Sequence, residues 1–355
     1  MRPNTAKGMA VKQALRMMAA LGVLAAAAAG QARADVLLSG PDSNDGSYST
    51  SALQIAANTG DTVSSGGLTG ISLWGLLGGA NSATPISPIY GDITTNTPSG
   101  DNGKNAIFRY YLLATGLGGK QSVISLGEID PRFGGTAAVP AFVAFQSTGS
   151  GLLASPELIA PGAAGAANRD LLGLTSLQLL SVAALPNGPE VASTVVQLSG
   201  AVTKPGSYDL NALTTEFTAT SETVGSDTYT GVPLYTFLDP TSSNSANQIV
   251  VVQATDGYEV VLSLAELDPA FGGSLNDLLP YADTSGNFPG DGVARTIFPT
   301  DNAQGRWVSN VNSVDVSAVP EPASLALLTV ALIATATVRN RALRRSRNLC
   351  LRSGS

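Results

Sequence analysis

Two stretches place carboxylates where they could act as an acid and a base, Glu128 with Asp130 and Glu266 with Asp268. A third, Asp42-Ser43-Asn44-Asp45-Gly46, has the composition of a calcium loop, but its acidic spacing departs from an EF-hand and no Glu stands at the twelfth position. Groups suited to holding a small ligand or a cation are Tyr258, Arg295, Arg306 and Trp307. The absences narrow the chemistry further. The chain has no histidine, and Cys350 is its only cysteine. Between residues 35 and 318 this excludes disulfides, thiolate nucleophiles, Cys/His zinc sites, a His general base and a Ser-His-Asp triad. Carboxylate, Lys, Tyr or Ser chemistry remains, as does an oxygen-ligated hard cation.

The elements that would carry these groups favour a structural use for the carboxylates. Ser263 and Glu266 stand at capping-box spacing, in which the Ser side chain accepts from the Glu backbone and the Glu side chain reaches back; Ser125 and Glu128 repeat it. Asp before Pro is a common way to leave a short helix. Ile249 to Ala254 and Tyr258 to Leu262 are β-rich runs joined through Thr255-Asp256-Gly257, a hairpin signal. Pro233 stands where a short helix begins, with Leu234, Phe237 and Leu238 as its apolar face. Trp307 is expected in the core, and Arg306 is expected to pair with an acidic neighbour.

These motifs occur twice. Leu38-Ser39-Gly40, Gly46-Ser47-Tyr48 and Ala52-Leu53 return 160 residues later as Leu198-Ser199-Gly200, Gly206-Ser207-Tyr208 and Ala212-Leu213. Leu68-Thr69-Gly70-Ile71-Ser72-Leu73 corresponds to Tyr229-Thr230-Gly231-Val232-Pro233-Leu234. Residues 125–135 and 263–273 agree at eight of eleven positions, and each copy closes with an Arg and a hydrophobic strand, Arg169 to Val182 and Arg306 to Val316. The predicted class is α+β, strand-dominated: two tandem homologous sheet-rich domains with short helices, at 35–184 and 194–318, plus a C-terminal hydrophobic helix. The turn-rich segment 185–193 links them, and the first copy carries an extra exposed loop around Asn81 to Asn105.

The second copy resembles the molybdopterin-binding domain of the sulfite oxidase-like oxidoreductases. The resemblance runs through Leu198-Ser199-Gly200, Tyr229 to Leu234, Asp256-Gly257-Tyr258, Ser263 to Phe271 and Arg306-Trp307-Val308. It implies a sheet-rich α+β fold, shortened here to about 120 residues per copy. Active members of that family ligate molybdenum through a cysteine, which this region lacks, so no catalytic residue carries over. No cofactor is expected; molybdopterin enters through the resemblance alone.

The ends read as addresses. Lys7, Lys12 and Arg16 precede an apolar run from Met17 to Gly30 and an Ala32-Arg33-Ala34 site, which predicts a signal peptide over 1–34 with cleavage between Ala34 and Asp35. At the other end, Pro320-Glu321-Pro322 is followed by an apolar stretch from Ala323 to Val338 and an arginine cluster from Arg339 to Arg352. Residues 319–355 are similar to the PEP-CTERM sorting signal of Gram-negative bacteria, with 323–338 as a transmembrane helix. That resemblance implies an exosortase-type processing enzyme as partner, transient membrane anchoring through this helix, and delivery to the cell surface or extracellular matrix. Without both ends, residues 35–318 hold eight basic and 25 acidic residues, a net charge of −17. Such a balance disfavours nucleic acid and anionic membrane surfaces as partners.

The expected function is therefore an exported surface or matrix protein, in the cell envelope or exopolysaccharide matrix, built from a duplicated, non-catalytic scaffold. A binding module for a pterin-like molecule or a cation is the alternative, and an oxidoreductase-like enzyme the third reading.

Overall fold

The computed structural model describes residues 35–40, 46–57, 61–77, 106–134, 140–160, 169–186, 188–238, 245–288, 290 and 292–319. Residues 42–45 of the calcium-like stretch, the expected long loop, the expected signal peptide and the expected hydrophobic helix at 323–338 lie outside them. Contacts divide the chain into two units, Met1–Ser317 and Ala318–Ser355. Both sequence copies thus fall in the first unit, where they pack as one body.

The first copy runs β1 (Val36–Ser39), β2 (Gly46–Tyr48), α1 (Thr50–Ala57), β3 (Thr62–Ser65), β4 (Leu68–Ser72), α2 (Leu73–Leu76), β5 (Tyr110–Thr115), β6 (Gln121–Ser125), α3 (Leu126–Ile129), β7 (Phe142–Ser147), β8 (Gly151–Ile159) and β9 (Ser176–Ser181). The second follows the same order: β10 (Val196–Gly200), β11 (Gly206–Tyr208), α4 (Leu210–Glu216), β12 (Thr220–Val224), β13 (Asp227–Pro233), α5 (Leu234–Phe237), β14 (Gln248–Ala254), β15 (Glu259–Ser263), α6 (Leu264–Leu267), β16 (Leu278–Asp283), β17 (Gly286–Asn287) and β18 (Val311–Ala318). Strands dominate and the helices are short, as the sequence predicts.

Each copy forms a five-stranded and a four-stranded sheet, β2-β1-β9-β5-β6 with β3-β4-β7-β8, and β11-β10-β18-β14-β15 with β12-β13-β16-β17. The five-stranded sheets are mixed: β1 runs parallel to β9, and β10 parallel to β18, whereas β1 with β2, β5 with β6, β5 with β9, β10 with β11 and β14 with β15 are antiparallel. Register follows the sequence repeat. Val36 pairs with Tyr48 as Val196 does with Tyr208, and Tyr111 with Ser125 as Ile249 does with Ser263.

Repeated small residues mark close backbone approaches. Gly40 and Gly200 both have positive φ, 144° and 78°, and a Cβ on Gly200 would stand 1.9 Å from the Val316 carbonyl oxygen. In both Thr-Gly pairs the register shifts between the Thr and the Gly, at Thr69/Gly70 and at Thr230/Gly231. A side chain at Gly70 would meet the Val143 carbonyl oxygen at 2.2 Å, and one at Gly231 would meet Pro280 Cα at 2.2 Å.

The expected hairpin forms: β14 and β15 are joined by a turn in which Gly257 has φ 86° and the Asp256 side chain accepts from Tyr258 N at 2.9 Å. β15 is buried along its whole length, so it reads as a continuous apolar run apart from Glu259 and Ser263. One apolar cluster, including Val36, Leu53 and Phe108 of the first copy and Val196, Phe237 and Trp307 of the second, extends through both. The expected linker is not free. Leu185 N donates to Glu259 Oε2 at 3.2 Å, Gly188 N to the Asp256 carbonyl at 2.9 Å, and Val293 N to the Ser193 carbonyl at 3.1 Å, so the segment lies against the second copy.

Candidate functional site

The repeated Ser-Leu-x-Glu motifs meet in the interior. β6 ends at Ser125 and β15 at Ser263, and each serine caps the short helix that follows: Ser125 Oγ accepts from Glu128 N, and Ser263 Oγ from Glu266 N, both at 3.1 Å. Asp130 Oδ1 accepts from Arg132 N and Asp268 Oδ1 from Ala270 N, each at 2.9 Å. Both aspartates therefore hold the turn after the helix, as the Asp-Pro pairs suggested, and are not free to act as acid or base partners. In the second copy the box is reciprocal, with Ser263 N donating to Glu266 Oε1 at 3.0 Å. In the first it is half made, because the Glu128 carboxylate is drawn elsewhere.

It is drawn across the molecule. Ser263 Oγ of the second copy donates to Glu128 Oε2 of the first at 2.9 Å, and Ser125 Oγ of the first donates to Glu266 Oε1 of the second at 3.2 Å. Each serine thus accepts within its own copy and donates into the other. Each glutamate is also held by its own copy's arginine. Arg169, 1% exposed, reaches Glu128 Oε1 with Nη1 and Glu128 Oε2 with Nη2 at 3.0 Å, while Nη2 also donates to the Val123 carbonyl at 2.8 Å. Arg306, 4% exposed, donates from Nη1 to Glu266 Oε2 at 3.0 Å and grips Asp301 through Nε at 2.8 Å and Nη2 at 2.6 Å.

The two halves of this cluster are not equivalent. Arg306 crosses the first copy's motif so closely that a Cβ on Gly127 would stand 2.6 Å from Arg306 Cδ, and one on Gly134 3.0 Å from Nη2. The glycine at 127, where the second copy has Ala265, is the space this arginine occupies. Asp301 and Asp277 belong to the second copy alone; equal spacing from the motif residues puts Ala164 and Val139 at the corresponding places of the first.

Charge in the second half is lopsided, since one guanidinium faces Glu266, Asp301 and Asp277. Burial pushes the Glu266 carboxyl up to about 8, against the pull of Arg306 and with Glu128 and Asp277 adding to the rise. Burial likewise raises Asp277 to about 7, opposed by Arg306 and reinforced by Asp301, and lifts Asp301 despite its bonds to Arg306. Burial lowers the Arg306 guanidinium, but Glu266 and Asp301 overcome this and hold it above its ordinary value. The cluster therefore keeps a proton near neutrality. Asp277 is its better home: Glu266 accepts three hydrogen bonds, whereas Asp277 Oδ1 is buried without a hydrogen-bond partner among the described residues.

Each of the four ligand candidates contacts other groups of the second copy. Arg306 pairs with acidic neighbours, and Trp307, 8% exposed, packs edge-on against Tyr229 with ring centroids 5.7 Å apart, both as expected from their structural reading. Tyr258 donates its hydroxyl to the Gly305 carbonyl. Arg295 lies over the rings of Phe288 at 5.8 Å and Trp307 at 5.7 Å. Sequence reasoning did not single out Ser125, Ser263, Arg169, Asp277 or Asp301 as site residues. The repeat itself signalled the first three; the two aspartates were visible only as acids that one copy has and the other lacks.

No family model and no curated protein matches the chain. Among the described residues no group of Asp or Glu is arranged to hold a metal ion. No described helix is long and apolar enough to cross a membrane. The residues present also do not fit a molybdenum cofactor of the sulfite oxidase type. The thiolate donor is missing from 35–318, and Arg306 and Trp307, which carry part of that resemblance, are committed to carboxylates and to the core.

Proposed function

We propose that this is an exported surface or extracellular-matrix protein whose body is a tandem duplication of a sulfite oxidase-like domain used as a non-catalytic scaffold. One observation carries the reading. The repeated Ser, Glu and Arg side chains, the strongest chemistry in the sequence, are consumed in structural bonds: each serine ties its copy to the other copy's glutamate, and each arginine holds the glutamate of its own copy. The matching registers and matching Thr-Gly shifts support descent of the two copies from one domain. The motifs behind the family resemblance build turns, caps and core here, which supports inheritance of a fold without inheritance of a reaction. Export rests on the two ends: a signal peptide over 1–34, and a PEP-CTERM-like tail that an exosortase-type enzyme recognises and removes.

Two measurements test this. Protein purified from its native host should contain no stoichiometric molybdenum or pterin by elemental analysis and pterin fluorescence; a full complement of either would overturn the non-catalytic reading. Truncation at Val319 should abolish delivery to the cell surface in fractionation, and unchanged surface delivery would overturn the assignment of the tail.

A further inference from the structure

The two copies meet through a surface whose serine–glutamate exchange is reciprocal. The serine ending β6 serves Glu266, and the serine ending β15 serves Glu128, 141 and 135 residues apart in sequence. Around this exchange the fit is tight. Gly305 of the second copy lies against Phe133 and Phe108 of the first, where a Cβ would come within 2.6 Å of Phe133 Cε1 and 2.9 Å of Phe108 Cζ. Those two rings pack edge to face at 4.6 Å, and Asn302 Nδ2 donates to the Pro131 carbonyl at 3.1 Å. The charged groups are buried on both sides, so separation would leave Glu128 and Glu266 each without one donor and expose the apolar rings to water.

We propose that this is a self-sufficient recognition surface whose partner is the other copy of the same domain, so that the protein behaves as a dimer joined by a peptide rather than as two domains held near each other by a linker. Covalent continuity through residues 185–193 is then unnecessary for assembly. The inference does not depend on export, and it would stand even if a ligand were found.

The test uses the intact protein. A protease recognition sequence is inserted between Ala184 and Leu185, both exposed, and the folded chain is cleaved there. The expected result is two fragments that co-elute as a 1:1 complex in size exclusion at pH 6 and at micromolar concentration. Fragments that elute apart would overturn the proposal. Specificity is read from two further cleaved variants. Gly127→Val drives a side chain onto Arg306 and should raise the dissociation constant of the fragments at least tenfold. Ser263→Ala removes the crossing hydroxyl, its cap and the bond it accepts from Arg169 Nη2 at 3.4 Å, and should weaken association by about five- to tenfold with the circular dichroism of the cleaved complex unchanged. If neither substitution alters the dissociation constant, the association does not run through this surface and the proposal fails.

Discussion

At the scale of single residues, Arg306 concentrates more constraint than any other side chain described. It is buried, bidentate to Asp301, bonded to Glu266, laid over the Phe298 ring at 4.6 Å, and passes the two glycines of the other copy. A buried ion pair contributes little net stability compared with a well-packed apolar substitute, because desolvation offsets the attraction; removing one partner is another matter. Arg306→Ala would leave Glu266, Asp301 and Asp277 facing one another with no cation, and should cost about 3–5 kcal/mol in urea unfolding at pH 7. Arg306→Ala combined with Asp301→Ala and Glu266→Gln should recover part of that loss, since the stranded charges go with the cation. A triple variant no more stable than the single one would show that the arginine acts through its packing rather than its charge.

The element scale explains what the sequence could and could not reveal. Local motifs were legible because their physics is local: the Ser263-Glu266 box, the turn at Thr255-Asp256-Gly257 and the helix start after Pro233 all form where their spacing places them. The hydrophobic strands expected from Arg169 and Arg306 onward begin later, at Ser176 and Val311, because both arginines are drawn into the buried cluster ahead of the strand. The capping box expected at Ser125 is only half made, since the Glu128 carboxylate is bonded to Arg169 and Ser263 instead. No pattern within the motif could show that, because the competing partners arrive from 41 and 135 residues away. Two glycines of positive φ separate backbone strain from close packing. Gly225, in the turn between β12 and β13, has φ 64° and open space around it, so Gly225→Ala should cost only the left-handed strain, about 1–2 kcal/mol. Gly200 has φ 78° and the Val316 backbone against it, so Gly200→Ala must also part β10 from β18 and should lower the unfolding midpoint clearly further. Equal losses at the two sites would mean that the close approach is relaxed at no cost.

At the scale of the whole molecule the governing asymmetry is protonic. Besides Glu266 and Asp277, burial also raises Asp61, Glu157, Asp170 and Asp301, whereas the exposed Asp283 is lowered by its bonds to Ser285. For the raised carboxyls the folded state holds protons that the unfolded chain has already lost, so stability falls with rising pH wherever that difference persists. For Glu266 the interval runs from its ordinary value of 4.5 to about 8, and for Asp277 from 3.8 to about 7. Asp283 works in the opposite sense but only below 3.8, and Arg169 and Arg306 stay charged throughout the interval. Urea midpoints should therefore decline steadily from about pH 5 to pH 8 and level off above it. The charged groups that face Asp277 are Arg306, Asp301 and Glu266, so Asp277→Asn removes a titration, and one cause of the rise at Glu266, without removing a bond made by its Oδ1. That variant should match the native protein near pH 4, exceed it above pH 8, and show a shallower decline between. If its midpoint instead runs parallel to that of the native protein at every pH, the proton retained by the cluster does not reside on Asp277, and Glu266 must carry it despite its three donors.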